Sequence, residues 1–136
     1  LKEKNKNIKI GLSDPLGSSL YSYIKTKKLQ NEGSSITEGI GTTRITKNFE
    51  KAIVDTAFQT NDSDALNIVF DLIESQKIIL GGSSGINIAG AIKLAKELGP
   101  GKNIVTILCD DGRRYASKIF NKSFLLEKNL PIPKWL

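Results

Sequence analysis

Histidine and methionine are absent from the sequence, and cysteine and tryptophan occur once each. Without an imidazole there is neither a histidine-ligated metal centre nor the usual histidine base of a hydrolase, and a metal site of any kind is a poor reading. The single thiol, Cys109, excludes an intrachain disulfide framework. Long apolar runs are missing as well: no stretch approaches the ~20 residues needed to span a bilayer, and no signal-peptide core follows the lysine-rich start. The expectation is a soluble, cytoplasmic protein without membrane association. Aromatic residues are sparse, at 7%, and no nucleic-acid motif accompanies the clusters Lys2, Lys4, Lys6, Lys9 and Lys25, Lys27, Lys28. The net charge of +6 is therefore read as a solvated basic surface, with no nucleic-acid partner.

What is present suffices for one core. The 136 residues are 39% hydrophobic, and the apolar positions are periodic rather than scattered. Leu1 stands where a start methionine would, so the chain reads as one domain and as a piece of something longer. Its organising stretch is Ile78-Ile79-Leu80-Gly81-Gly82-Ser83-Ser84-Gly85, an apolar strand that breaks into a glycine-serine turn. Ile86 to Leu98 follows as a helix with Ile88, Ala89, Ile92 and Ala95 on its apolar face and Lys93 outward toward Glu97. Ala89, Gly90 and Ala91 suit close approach to a sheet. Ile104 to Leu108 is β-branched and apolar, as a buried parallel strand should be, and the three elements together predict a right-handed βαβ unit.

Elsewhere, Ile8 to Leu12 reads as a strand that Ser13-Asp14-Pro15 ends. Leu16 to Lys28 fits either a short helix or a loop, and Ala52 to Phe58 is too mixed to assign. Asn61 to Asp64 starts a helix whose core face is Leu66, Val69, Phe70 and Ile73. A short helical segment is expected around Ala116 to Phe120, then a proline-punctuated tail in which Trp135 either anchors on the core or faces outward. Three loops lie at the carboxyl ends of strands, where open α/β sheets bind ligands: Ser13 to Ser19, Gly81 to Gly85, and Cys109 to Tyr115. Gly81 to Gly85 can cradle an anion on free helix-start amides, or serve only as a structural turn. It lacks the spacing of a dinucleotide fingerprint or a phosphate loop.

Four landmarks occur in order: Asp14-Pro15 after a strand, Glu38-Gly39-Ile40-Gly41, Leu80-Gly81-Gly82-Ser83-Ser84-Gly85 opening a small-residue helix, and Asp110-Asp111-Gly112-Arg113-Arg114-Tyr115 after an apolar strand. In this the chain resembles the carboxyl-terminal portion of the cysteine synthase and cystathionine β-synthase family, pyridoxal-phosphate enzymes of fold type II. The resemblance implies an α/β fold, a three-layer open and mostly parallel sheet with flanking helices, of which residues 1–136 form the carboxyl-terminal part. It implies pyridoxal 5′-phosphate as cofactor, with Ser83 hydrogen-bonded to the pyridine nitrogen and Gly82, Asp110 and Asp111 beside the ring. Gly39, Ile40 and Gly41 match the substrate-side loop near the amino group; the alternative for Gly39 to Gly41 is a mobile turn, and for Asp110 to Tyr115 a helix-capping and surface-pairing cluster. The family usually has proline at the position of Cys109, which is read as a small buried strand-end residue.

The family's Schiff-base lysine, substrate-carboxylate loop and phosphate cup match nothing here, so no catalytic residue is assigned and the chain alone is expected to be inactive. The implied parent is a homodimer that makes cysteine from activated serine and sulfide. Serine plus homocysteine, cysteine breakdown, or a non-catalytic remnant of the fold are the alternatives. The implied partners are a small amino-acid substrate and the missing amino-terminal portion of the same enzyme.

Overall fold

The computed structural model describes all 136 residues. Two short strands, β1 (Gly11–Pro15) and β2 (Thr56–Thr60), pair in parallel with Gly11 opposite Thr56 and Pro15 opposite Thr60. Helices α1 (Leu20–Thr26) and α2 (Lys47–Glu50) lie between them in sequence. After β2 come α3 (Asp62–Gln76) and α4 (Gly82–Leu98), then a 3-10 turn at Gly112–Tyr115 and the short helices α5 (Ala116–Ile119) and α6 (Lys122–Glu127). No helix is long and apolar enough to cross a membrane.

Ser13-Asp14-Pro15 does not end a strand but forms the second half of β1. Proline is tolerated because the next ladder donor is Leu16, whose N–H reaches the Thr60 carbonyl at 3.2 Å, so the missing Pro15 amide proton removes no pairing bond. β2 buries Ala57 and Thr60, small side chains whose role no alternation of apolar residues announces. α3 begins as expected: the Asn61 side chain accepts from the Asp64 N–H at 2.8 Å, with Asp62 and Asp64 in the first turn. Leu66, Val69 and Phe70 from α3 form the main core with Ile119 and Leu125, and Leu130, Ile132 and Leu136 of the tail pack against it. Trp135 meets Phe70 edge-on at 5.8 Å between ring centroids, which fixes the tail on that core.

Helix α4 starts at Gly82, four residues earlier than its sequence suggests, and lies between α3 and β1. A Cβ on Gly85 would stand 2.4 Å from the Ala65 carbonyl oxygen of α3, and one on Gly90 would stand 2.4 Å from the Ser13 side chain of β1. These close approaches turn the helix away from the expected orientation. Ile92 is 42% exposed and Ala95 is exposed, while the burial falls on Gly82 to Ile86, Ala89 and Gly90. Lys93 does not face Glu97 in solvent; its ammonium donates to the Gln59 carbonyl at 2.6 Å, at the end of β2.

The three-layer open sheet does not form: the sheet has two strands. Ile78 to Leu80 contributes a single antiparallel bridge, Leu80 to Asp111, and Ile104 to Leu108 makes no backbone-to-backbone hydrogen bond, the Ile107 carbonyl accepting instead from the Asn87 side-chain amide at 3.0 Å. The expected βαβ unit is thus only its helix. A strand needs a neighbour to satisfy its amides and carbonyls, and these residues have none beside them. Val105 is 92% exposed for the same reason, and Cys109 is exposed rather than buried. Between the free edge of β1 and residues 102–106 lies a cavity of about 740 Å³ lined on its helical side by Gly90, Ala91 and Leu94.

Candidate cofactor and substrate site

The glycine-serine turn becomes the first turn of α4. Gly81 is its N-cap with extended backbone and no side chain caps the helix; the Ser84 N–H donates to the Gly81 carbonyl at 3.1 Å, and the Gly82 and Ser83 amides stay free for a ligand. The two serines divide their work. Ser84 is fully buried and its hydroxyl accepts from the Cys109 N–H at 2.8 Å, which ties the loop after residue 108 to the helix. Ser83 is 7% exposed and its hydroxyl bonds to nothing in the chain. An accessible hydroxyl without an internal partner, on an otherwise buried residue beside an uncapped helix start, fits a ligand that offers one neutral acceptor, such as a pyridine nitrogen.

Two loops close on this turn. A Cβ on Gly81 would lie 2.7 Å from the Tyr115 ring, and one on Gly82 would lie 3.0 Å from the Thr37 hydroxyl. A side chain at Gly81 would force the Tyr115 ring to shift, and one at Gly82 would press tightly on Thr37. The loop carrying Tyr115 is fastened by the Gly81 N–H to the Asp110 carbonyl (2.9 Å) and by the Gly112 N–H to the Ile79 carbonyl (3.2 Å).

Within that loop the carboxylates are engaged. Asp110 accepts from the Tyr115 hydroxyl at 2.6 Å and lies 3.6 Å from Arg114, and this bond to Asp110 raises the Tyr115 pKa above its ordinary value. Asp111 accepts from the Arg113 N–H at 2.9 Å and from its guanidinium, which hold its pKa down to about 2. Asp110 and Asp111 therefore shape the loop through its own residues.

Gly39, Ile40 and Gly41 form a loop anchored at both ends. Glu38 pairs with Lys118 of α5 on one side. On the other, the Thr42 N–H donates to the Ser18 hydroxyl at 3.0 Å and its carbonyl accepts the Ser19 N–H at 2.8 Å. A Cβ on Gly39 (φ +75°) would meet nothing within 4 Å, whereas Gly41 (φ +80°) sits against Pro15 and Ser18. Beside it is a polar cavity of about 430 Å³ lined by Ser18, Ser34, Ser35, Thr37, Ile40 and Thr42. The structure thus brings the approach to Gly39 against Gly82, and seats Gly41 on the corner between β1 and α1. Sequence reasoning missed Thr37 and the Asp62 carboxylate that holds its neighbours, because residues 35–37 and 62 carry no shared local pattern.

Residues 1–110 match the family model described as "Pyridoxal-phosphate dependent enzyme". The chain is 40% identical to a cysteine synthase of Dictyostelium discoideum, covering 97% of this chain and 38% of that protein. It is 36% identical to cysteine synthase 2 of Schizosaccharomyces pombe, over 96% of this chain and 36% of the relative. Among solved structures, the O-acetylserine-dependent cystathionine β-synthase of Helicobacter pylori superposes with a TM-score of 0.76 at 30% identity, covering 87% of this chain and 36% of that one. O-acetylserine sulfhydrylase isoform 3 of Entamoeba histolytica gives the same TM-score and identity over 98% of this chain and 36% of that one. The chain therefore spans little more than a third of the length of these relatives. With the ordered landmarks around Ser83 and a family match over residues 1–110, the chain belongs to the pyridoxal-phosphate-dependent enzymes and shares the α/β fold of their cysteine synthase and cystathionine β-synthase members.

Proposed function

We propose that this chain supplies the ring-binding part of a pyridoxal-phosphate-dependent β-replacement enzyme, and that the whole enzyme is a cysteine synthase joining sulfide to O-acetylserine. The observation that carries the reading is the Ser83 hydroxyl, accessible at the uncapped start of α4 on an otherwise buried residue and without an internal partner. Pyridoxal phosphate, when bound, supplies the electron sink that makes loss of a β-substituent feasible. Ser83 would donate a hydrogen bond from its hydroxyl to the ring nitrogen; because a hydroxyl carries no charge, it would not enforce ring protonation. Gly82 lets the ring approach the backbone, and Asp110 and Asp111 hold the bordering loop in shape. Thr37 and Tyr115 narrow the turn from either side. Gly39, Ile40 and Gly41 face the substrate amino group, with open space where a Cβ on Gly39 would stand. Relatives named cysteine synthase favour the sulfide reaction over the use of serine and homocysteine.

The rest of the catalytic unit, including its Schiff-base lysine and phosphate cup, docks at the free edge of β1. Support comes from the cavity of about 740 Å³ there, from Ile104 to Leu108, whose backbone pairs with no other backbone, and from the share of the relatives that the chain spans. The whole enzyme is proposed to be a homodimer.

The test is a titration of the ¹⁵N-labelled chain with pyridoxal phosphate, alone and mixed with the part of the Dictyostelium relative that this chain does not match. Amide shifts should centre on Gly82 and Ser83, and Ser83→Ala should weaken binding by about tenfold, the worth of one hydrogen bond. The mixture should form cysteine from O-acetylserine and sulfide. Binding in neither sample would overturn the reading; turnover of serine with homocysteine in place of sulfide would replace cysteine synthase with the cystathionine-forming reaction.

A further inference from the structure

The Asp62 carboxylate takes donors from three successive residues that lie far from it in sequence. The Ser35 hydroxyl donates to it, the Ile36 N–H donates at 2.8 Å, and the Thr37 hydroxyl stands at 3.4 Å. Ser35 passes the grip onward, since its hydroxyl also accepts the Thr37 N–H at 3.0 Å. Helix capping does not account for this cluster. Asn61 already caps α3, and Asp62 spends its oxygens on a segment 25 to 27 residues earlier in the chain.

The consequence lies across the helix pair. One turn after Asp62, Ala65 meets Gly85 at the closest approach of α3 to α4; one turn before Gly85, Gly82 meets Thr37. Asp62 therefore holds Thr37 over the start of α4 from the neighbouring helix. Beyond Thr37 the chain has only the Glu38–Lys118 ion pair before Gly39, where a Cβ would meet nothing within 4 Å. An exposed ion pair alone is a weak tether, whereas a carboxylate taking several hydrogen bonds is a firm one.

We infer that Asp62 is the positioning residue of the substrate-side loop: it fixes Ser35 to Thr37 against Gly82, so that motion of the loop is confined to the hinge at Gly39. That this loop faces substrate rests on the function proposed above; the clamp itself does not.

Native-state hydrogen exchange on the full chain separates the two. In Asp62→Ala, exchange at the Ile36 and Thr37 amides should accelerate on the order of tenfold to a hundredfold, as expected when bonds to a charged acceptor are lost. The α3 amides from Leu66 to Ile73 should keep their protection. Asp64→Ala, which alters the same helix end without reaching residues 35–37, should leave Ile36 and Thr37 unchanged. Should Asp62→Ala lose its helical circular dichroism, the isosteric Asp62→Asn carries the same comparison with a smaller acceleration. Unchanged exchange at Ile36 and Thr37, or loss of protection spread equally along α3, would overturn the inference. In a parallel pyridoxal-phosphate titration, Asp62→Ala should raise the dissociation constant of the Gly82 and Ser83 shifts. A normal constant alongside accelerated exchange would confine the clamp to the loop and remove its link to the cofactor turn. No binding by wild type would sink the proposed function while the exchange result still decides the role of Asp62.

Discussion

Asp14 is 1% exposed at the end of β1, where its carboxylate accepts the Tyr21 N–H at 2.7 Å and so holds the start of α1. Burial pushes its pKa above the ordinary 3.8, against the opposing pull of hydrogen bonds from Ser18 and the amides of Tyr21 and Leu20. The folded state thus binds this proton more tightly than the unfolded one. Stability must fall as pH rises from about 3.8 through the raised value, as the buried group ionises. Asp111 has the opposite sign. Held at about 2 by Arg113, its contribution is present above pH 3.8 and is lost as pH falls toward 2. Urea midpoints measured from about pH 3 to 7 should show the decline above 3.8 in wild type and a flatter profile in Asp14→Asn. An identical slope in the variant would remove Asp14 as its source. The Asp14-Pro15 pair was legible in the sequence as a landmark. Its partner amides, seven residues away and folded back, were not.

At the scale of elements, α4 depends on two contacts that have no side chain on one side. Gly85→Ala presses a methyl on the Ala65 carbonyl, and Gly90→Ala presses one on Ser13, which itself donates to the Ile86 carbonyl at 2.6 Å. Each substitution should destabilise by about 1–3 kcal/mol in chemical denaturation, the usual cost of overpacking, despite alanine's better helix propensity. A neutral or stabilising effect would mean that the helices have room to shift. The small-residue run was readable as a close-approach surface, and Gly90 bears that out. The choice of face was not: period 3.6 is equally satisfied by the stripe through Ile92 and Ala95, and only the fit of glycines to α3 and β1 selects the other. β2 was unreadable for a related reason. Thr56 to Thr60 has no alternation, and its strand identity comes from the register with β1, some 45 residues away in sequence.

For the molecule as a whole, composition told truthfully which residues suit a buried strand, yet composition cannot supply a neighbour. Ile104 to Leu108 has the makeup of a central strand and the surroundings of an edge. The landmark order across the chain was legible because it needs no partner, and the helical face of α3 because its core lies within these residues. An open edge beside exposed isoleucine and valine is also a template for unwanted pairing between copies. Here the lysine-rich beginning acquires a use: Lys9 and Lys102 border the cavity at that edge, in a chain of net charge +6. Like charges brought together when two such edges meet repel over roughly 10 Å at moderate ionic strength, and salt removes that protection. The colloidal behaviour of the chain should accordingly run opposite to that of a protein held together by ion pairs, with light scattering rising as sodium chloride is added and Lys9→Glu scattering more than wild type at low salt.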